Sequence, residues 1–133
     1  MVYIKQEEFT TREGQPFKMF DNPTDPTDFS IATVGSILAF TLNQFQPNPA
    51  DQWVLTMPEI RAYNDACKIF EGAPQHEGYY LLDSKEQNVA KKILTWILPV
   101  FPGGIMRNAN EILALIDENA VTELPSEIDA ATD

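Results

Sequence analysis

Phe29-Ser30-Ile31-Ala32-Thr33-Val34-Gly35-Ser36-Ile37-Leu38-Ala39-Phe40-Thr41-Leu42-Asn43-Gln44-Phe45 is the stretch on which the reading of the fold turns. Residues 29–50 carry no charge, and about 20 mainly apolar residues are enough to span a bilayer. The polar residues Ser30, Thr33, Ser36, Thr41, Asn43 and Gln44, together with Gly35, interrupt the run, and Pro47-Asn48-Pro49 ends it. It therefore reads as a buried core helix rather than a membrane span. Ile31, Val34, Leu38, Leu42 and Phe45 recur at spacings of three and four, Ile37 and Phe40 widen the stripe, and Asp28 or Thr27 stands ready as the cap. Gly35 is the weak point of this helix.

Working outward toward the N-terminus, Val2-Tyr3-Ile4, Phe9-Thr10-Thr11 and Pro16-Phe17-Lys18-Met19-Phe20 are β-prone runs around the polar Arg12-Glu13-Gly14-Gln15. They predict a hairpin turning near Gly14. Residues 21–28 hold Pro23, Pro26 and several Asp and Thr side chains, the composition of a loop. Toward the C-terminus, Thr56-Met57-Pro58-Glu59 has capping-box spacing and announces a helix with Ile60, Tyr63, Cys67 and Phe70 on one face and Gly72 as its stop. Gly78-Tyr79-Tyr80-Leu81-Leu82 is a short strand or extended link. Ser84-Lys85-Glu86-Gln87 caps a third helix with Val89, Ile93, Trp96 and Ile97 inward. Pro99, Pro102, Gly103 and Gly104 break the chain before a fourth helix through Ile105, Ala109, Ile112, Leu113 and Ile116.

The expected fold is a single small α+β domain, residues 1–119, with an N-terminal β-hairpin packed on about four α-helices. Its core would hold Ile31, Val34, Leu38, Ile60, Cys67, Phe70, Val89, Ile93, Trp96, Ile112 and Ile116. Residues 120–133 are expected to be an acidic flexible tail, because Leu124 and Ile128 are nearly its only large apolar residues.

The chain has 133 residues, 20 acidic and 9 basic, for a net charge of −11. Glu111, Asp117, Glu118, Glu123, Glu127, Asp129 and Asp133 follow the last basic residue, Arg107, so the C-terminal part supplies seven of those charges. Such a balance offers no grip on phosphate backbones and excludes nucleic acid as the expected direct ligand. Met1-Val2-Tyr3-Ile4-Lys5-Gln6-Glu7-Glu8 reaches charge too soon for the apolar region of a signal peptide, and the single cysteine suits a reducing compartment.

Catalytic and metal constellations are wanting. Cys67 falls on a core-facing position and the sole histidine, His76, in a polar loop, so a nucleophile pair has no support, and one Cys with one His makes no zinc set. Asp21, Asp25 and Asp28 lack the ligand alternation of a calcium loop, and their spacing suits turns and caps. Gly103-Gly104 has no phosphate fingerprint after it. No catalytic residue, metal or cofactor is expected. Trp53, Tyr79, Tyr80 and Phe101 lie outside the helical stripes and beside Pro or Gly, where aromatics either anchor interfaces or plug gaps between elements. With Glu118, Glu123, Glu127, Asp129 and Asp133 they are the candidate partner-binding residues.

The order of signals resembles a set of small accessory proteins encoded by tailed bacteriophages. The matching pieces are Thr11-Arg12-Glu13-Gly14-Gln15-Pro16, residues 31–42, residues 61–69 ending in Lys68-Ile69, residues 80–87, and Phe101-Pro102-Gly103-Gly104-Ile105 leading into Glu111-Ile112-Leu113-Ala114-Leu115-Ile116. The chain departs from that pattern in its Pro-rich loop at 21–28, its Pro47-Asn48-Pro49 insertion and its acidic tail. The resemblance implies no catalytic residue. It implies a phage accessory protein resident in the host-cell cytoplasm or incorporated in the virion. The expected function is a non-enzymatic protein-interaction module for virion assembly or structure. The alternatives are an acidic inhibitor that fills the basic nucleic-acid-binding site of a host or defence protein, and a membrane-active lysis protein. A protein partner, with a basic surface where the tail meets it, is expected, and a membrane is not.

Overall fold

A computed structural model describes residues 1–20, 24–25, 27–101 and 103–122. In chain order these form β1 (Val2–Lys5), β2 (Lys18–Phe20), β3 (Phe29–Ile31), α1 (Val34–Asn43), α2 (Met57–Glu71), β4 (Tyr79–Leu82), α3 (Ser84–Ile97), α4 (Gly103–Arg107) and α5 (Ala109–Ile116), with single 3₁₀ turns at Pro49–Asp51 and Leu98–Val100.

The β-prone N-terminal runs fold as strands but do not all pair with one another. The chain does reverse at Gly14, which sits at φ 80°, and a Thr10–Pro16 bridge closes that turn. β1 instead pairs antiparallel with β4, Val2 opposite Leu82, and β2 pairs antiparallel with β3. Both are two-stranded sheets, each of which needs helices against it to be stable.

Three further expectations are corrected. Residues 29–31 are a strand, so the helix begins only at Val34. Its cap is Thr33, whose hydroxyl accepts from the Ser36 amide while the Ser36 hydroxyl accepts from the Thr33 amide; Asp28 and Thr27 play no part. Asp25 instead folds its carboxylate onto the Thr27 amide and hydroxyl. The third helix is capped by Asp83, one residue earlier than expected, with Glu86 returning the bond at 2.8 Å. The fourth helix is two helices, split at Asn108. Its buried carboxamide donates to the Gly104 carbonyl (2.7 Å) and accepts from the Arg12 amide (2.9 Å), which ties the Gly14 turn to the break. The box Thr56–Glu59 and the stop at Gly72 stand where the sequence puts them.

One core joins the two sheets and the helices. Val34, Leu38, Cys67, Phe70, Val89, Ile93, Ile112 and Ile116 are buried in it as expected, joined by Ile4, Phe9, Leu82 and Leu94. Ile31 and Trp96 are half-buried, and Ile60 is 39 % exposed, so it is not a core residue. The chain is thus a single small α+β domain. The body extends slightly past the expected boundary at 119, because Val121 and Tyr3 exchange backbone hydrogen bonds of 2.8 and 3.0 Å.

Candidate functional site

The loop between α1 and α2 builds a largely apolar open surface. Asn48 accepts from the Ala50 amide and donates to Asp51, and Gln52 takes the left-handed conformation at φ 62°. The backbones of Asn48 and Trp53 then exchange hydrogen bonds of 3.0 and 2.9 Å, closing a tight turn. That turn lays the Trp53 ring parallel to Trp96 of α3, centroids 6.3 Å apart and planes 6° apart. Phe45 stacks on Trp96 and tilts against Tyr63, and Lys92 holds its ammonium 5.1 Å from the Trp96 ring while pairing with Glu59 at 2.8 Å.

Beside these rings lies a groove of about 460 Å³ lined by Phe45, Pro47, Val54, Leu55, Ile60, Tyr63 and Asn64. Val54 is 49 % exposed on its lip, and Met57, 75 % exposed, follows two residues after Leu55. Leu55 and Ile60 hold the positions flanking the cap of α2 where a hydrophobic staple forms. The Tyr63 hydroxyl donates to the Leu42 carbonyl at 2.7 Å, and burial raises its pKa well above the phenol range. Among the described residues no carboxylate or ammonium lines this groove. It can bury apolar surface and offers little for acid–base chemistry.

A second groove, of about 660 Å³, lies between the first three turns of α2 and the start of α3. Arg61, Lys68 and Lys85 face it, with Asp65, Asp83 and Glu86. Burial pushes the Glu86 carboxyl up, and the charges of Asp83 and Asp65 add to the shift. On another face, Glu111 lines two adjoining depressions that also hold Glu7, Glu8, Asp117 and Glu118.

The structure distributes the candidate partner-binding residues widely. Trp53 is half-buried in the aromatic stack. Tyr79 is half-buried on β4, with its backbone bonded to His76. Tyr80 is not an interface residue: it is 1 % exposed, its ring meets Phe70 edge-on, and its hydroxyl lies against Gly35. Phe101 is half-buried and tilts against Phe40, near which Val100 and Met106 are exposed. Glu118 is exposed; Glu123, Glu127, Asp129 and Asp133 lie outside the described residues.

The sequence reading missed Val54, Leu55 and Ile60 as surface-forming residues. The staple positions around Thr56 were the available signal. Cys67 is buried in α2 with its thiol pKa raised by that burial, the reverse of nucleophile activation. Among the described residues no group of three His, Cys, Asp or Glu could hold a metal ion, and no helix is long and apolar enough to cross a membrane. Comparisons with protein-family models, curated proteins and solved structures give no match to this chain.

Proposed function

We propose that the protein is a non-enzymatic interaction module that docks a protein partner over the groove beside Trp53, as an accessory factor of virion assembly or structure. The observation that carries this reading is the open apolar groove floored by Phe45 and Tyr63 and flanked by exposed Val54 and Ile60. Exposed apolar surface around a fixed aromatic floor is the arrangement on which interface anchors seat. The phage context comes from the resemblance in signal order alone.

The test is capture from phage-infected cells with the native chain and with Val54→Asp and Ile60→Asp variants. Both side chains are substantially exposed, so melting temperatures should stay close to native. Retention of virion components by the native chain and their loss with both folded variants is expected. Equal retention by all three proteins rejects the groove as the docking surface.

A second reading, an acidic inhibitor of a nucleic-acid-binding protein, is favoured by the gathering of Glu7, Glu8, Glu111, Asp117 and Glu118 on one face. Carboxylates so grouped attract a basic surface. Capture of a nuclease, polymerase or repair protein, insensitive to Val54→Asp and weakened by salt, would decide for it.

A further inference from the structure

Three helices of this protein close a capping box: Thr33 with Ser36 at α1, Thr56 with Glu59 at α2, and Asp83 with Glu86 at α3. The residues for a fourth box stand at α5. Asn108 holds its cap position, Glu111 its third helical position, and asparagine is among the strongest caps. The box is not formed. Asn108 makes no side-chain bond to α5, and among the described residues no hydrogen bond engages the amides of Ala109, Asn110 and Glu111 or the Glu111 carboxylate.

The Asn108 side chain is engaged elsewhere. Its oxygen accepts from the Arg12 amide (2.9 Å) and its nitrogen donates to the Gly104 carbonyl (2.7 Å). For residues 11–15, the tip of the first hairpin, the Arg12 bond is the one backbone bond to the rest of the described body. The others close the turn on itself, and the next anchors are the Phe9 and Phe17 backbones on Ala32. The backbone of Asn108 is bent to match: its ψ is 21°, whereas Thr33, Thr56 and Asp83 cap at ψ 168°, 165° and 174°. Capping α5 therefore requires a rotation at Asn108 that swings α4 away from its present angle to α5. The other end of α4 is Gly103 at φ 63°, a conformation that glycine adopts at no steric cost, so the short helix lies between two pivots.

We propose that Asn108 is a latch with two settings. In the observed setting it holds the hairpin tip and leaves α5 uncapped. In the other it caps α5 together with Glu111, and the tip and α4 are released together, uncovering the Phe17 ring that now packs beside Gly104. Each setting makes two side-chain hydrogen bonds, so small changes tip the balance between them.

Amide hydrogen exchange, followed by NMR on the full chain, tests the latch. Glu111 bonds only in the second setting, so Glu111→Ala should slow exchange of the Arg12 amide about fivefold, the order of a side-chain cap's contribution. Glu111→Gln can still return the box bond and should keep the native rate. Asn108→Asp should act in the opposite sense, because an ionised carboxylate caps α5 but cannot donate to the Gly104 carbonyl. Arg12 exchange should then rise about tenfold, the order of a lost buried hydrogen bond, while the Glu111 amide gains protection. An Arg12 rate that is unchanged or faster in Glu111→Ala, or that moves equally in Glu111→Gln, overturns the proposal and leaves Asn108 as a fixed tie. So does a folded Asn108→Asp protein whose Glu111 amide stays unprotected. If Asn108→Asp does not fold, the two Glu111 variants decide alone, since they alter a side chain that makes no hydrogen bond in the observed setting.

Discussion

Two aromatic clusters in this protein are built from similar residues and meet opposite fates. Around Tyr80 the rings are sealed: Phe70 meets Tyr80 at 5.3 Å, and Gly35 of α1 passes so close to the Tyr80 ring that a Cβ on Gly35 would fall 2.9 Å from Cζ. Around Trp53 the rings stack in a row, Trp53 on Trp96 on Phe45, but one side stays open to a groove. What separates them is the neighbouring backbone. A glycine in a helix lets the sealed cluster close, whereas the open one is carried by the Asn48–Trp53 turn and touches α2 through Phe45 and Tyr63 beside the groove. An aromatic beside a glycine or proline in sequence is therefore ambiguous until its three-dimensional neighbour is known.

The sealed side should break hardest. Leu38, fully buried on α1 near this cluster's helix face, should lose about 2–5 kcal/mol on Leu38→Ala, read by denaturant unfolding. Native-like stability in that variant would mean α1 is not a core helix. Gly35→Ala comes next, with a loss of about 1–3 kcal/mol from overpacking, although alanine is the better helix former. Tyr80→Phe removes the hydroxyl facing Gly35 and should recover part of that loss in the double variant. If the two changes simply add, Gly35 and Tyr80 do not press on each other.

The open side should respond least. Lys92 and the Thr56 amide hold Glu59 below its ordinary carboxylate range, through hydrogen bonds to its two oxygens. Because the folded pKa is the lower one, the stabilisation is present above the ordinary 4.5 and is lost as pH falls through it toward the folded value. Glu59→Gln should flatten the stability curve over that window by a few tenths of a kcal/mol, the usual size for an exposed pair. An unchanged acid limb would show that the Glu59–Lys92 bridge adds nothing at the rim of the Trp96 stack.

Local signals were legible and distant ones were not. Thr56-Met57-Pro58-Glu59 reads correctly because a capping box is complete within four residues. At the third helix Asp83-to-Glu86 and Ser84-to-Gln87 have the same spacing, and only the end of β4 at Leu82 selects the first. Ile31 fits the helical stripe of α1, yet residues 29–31 become a strand because β2 lies alongside, with Lys18 opposite Ile31. Asn108 looks like a surface residue in a Leu/Ile helix; its partner, the Arg12 amide, is 96 positions away. Of the candidate site, Trp53 was legible as an aromatic outside any stripe, while Ile60 was assigned to the core because its spacing to Tyr63 and Cys67 suits a buried face as well as a groove wall.

The placement of β1 also sets an order of events in time. Val2 and Leu82 are eighty positions apart, and Tyr3 must further wait for Val121. Closing so long a loop is entropically costly and slow compared with joining α2 to α3 through a short connection. During synthesis β1 is made well before β4, so the strand pairing of Val2, Tyr3 and Ile4 must wait until residues 79–82 have been added. The helical body is thus the early scaffold, and the β1–β4 sheet is the seam that closes it.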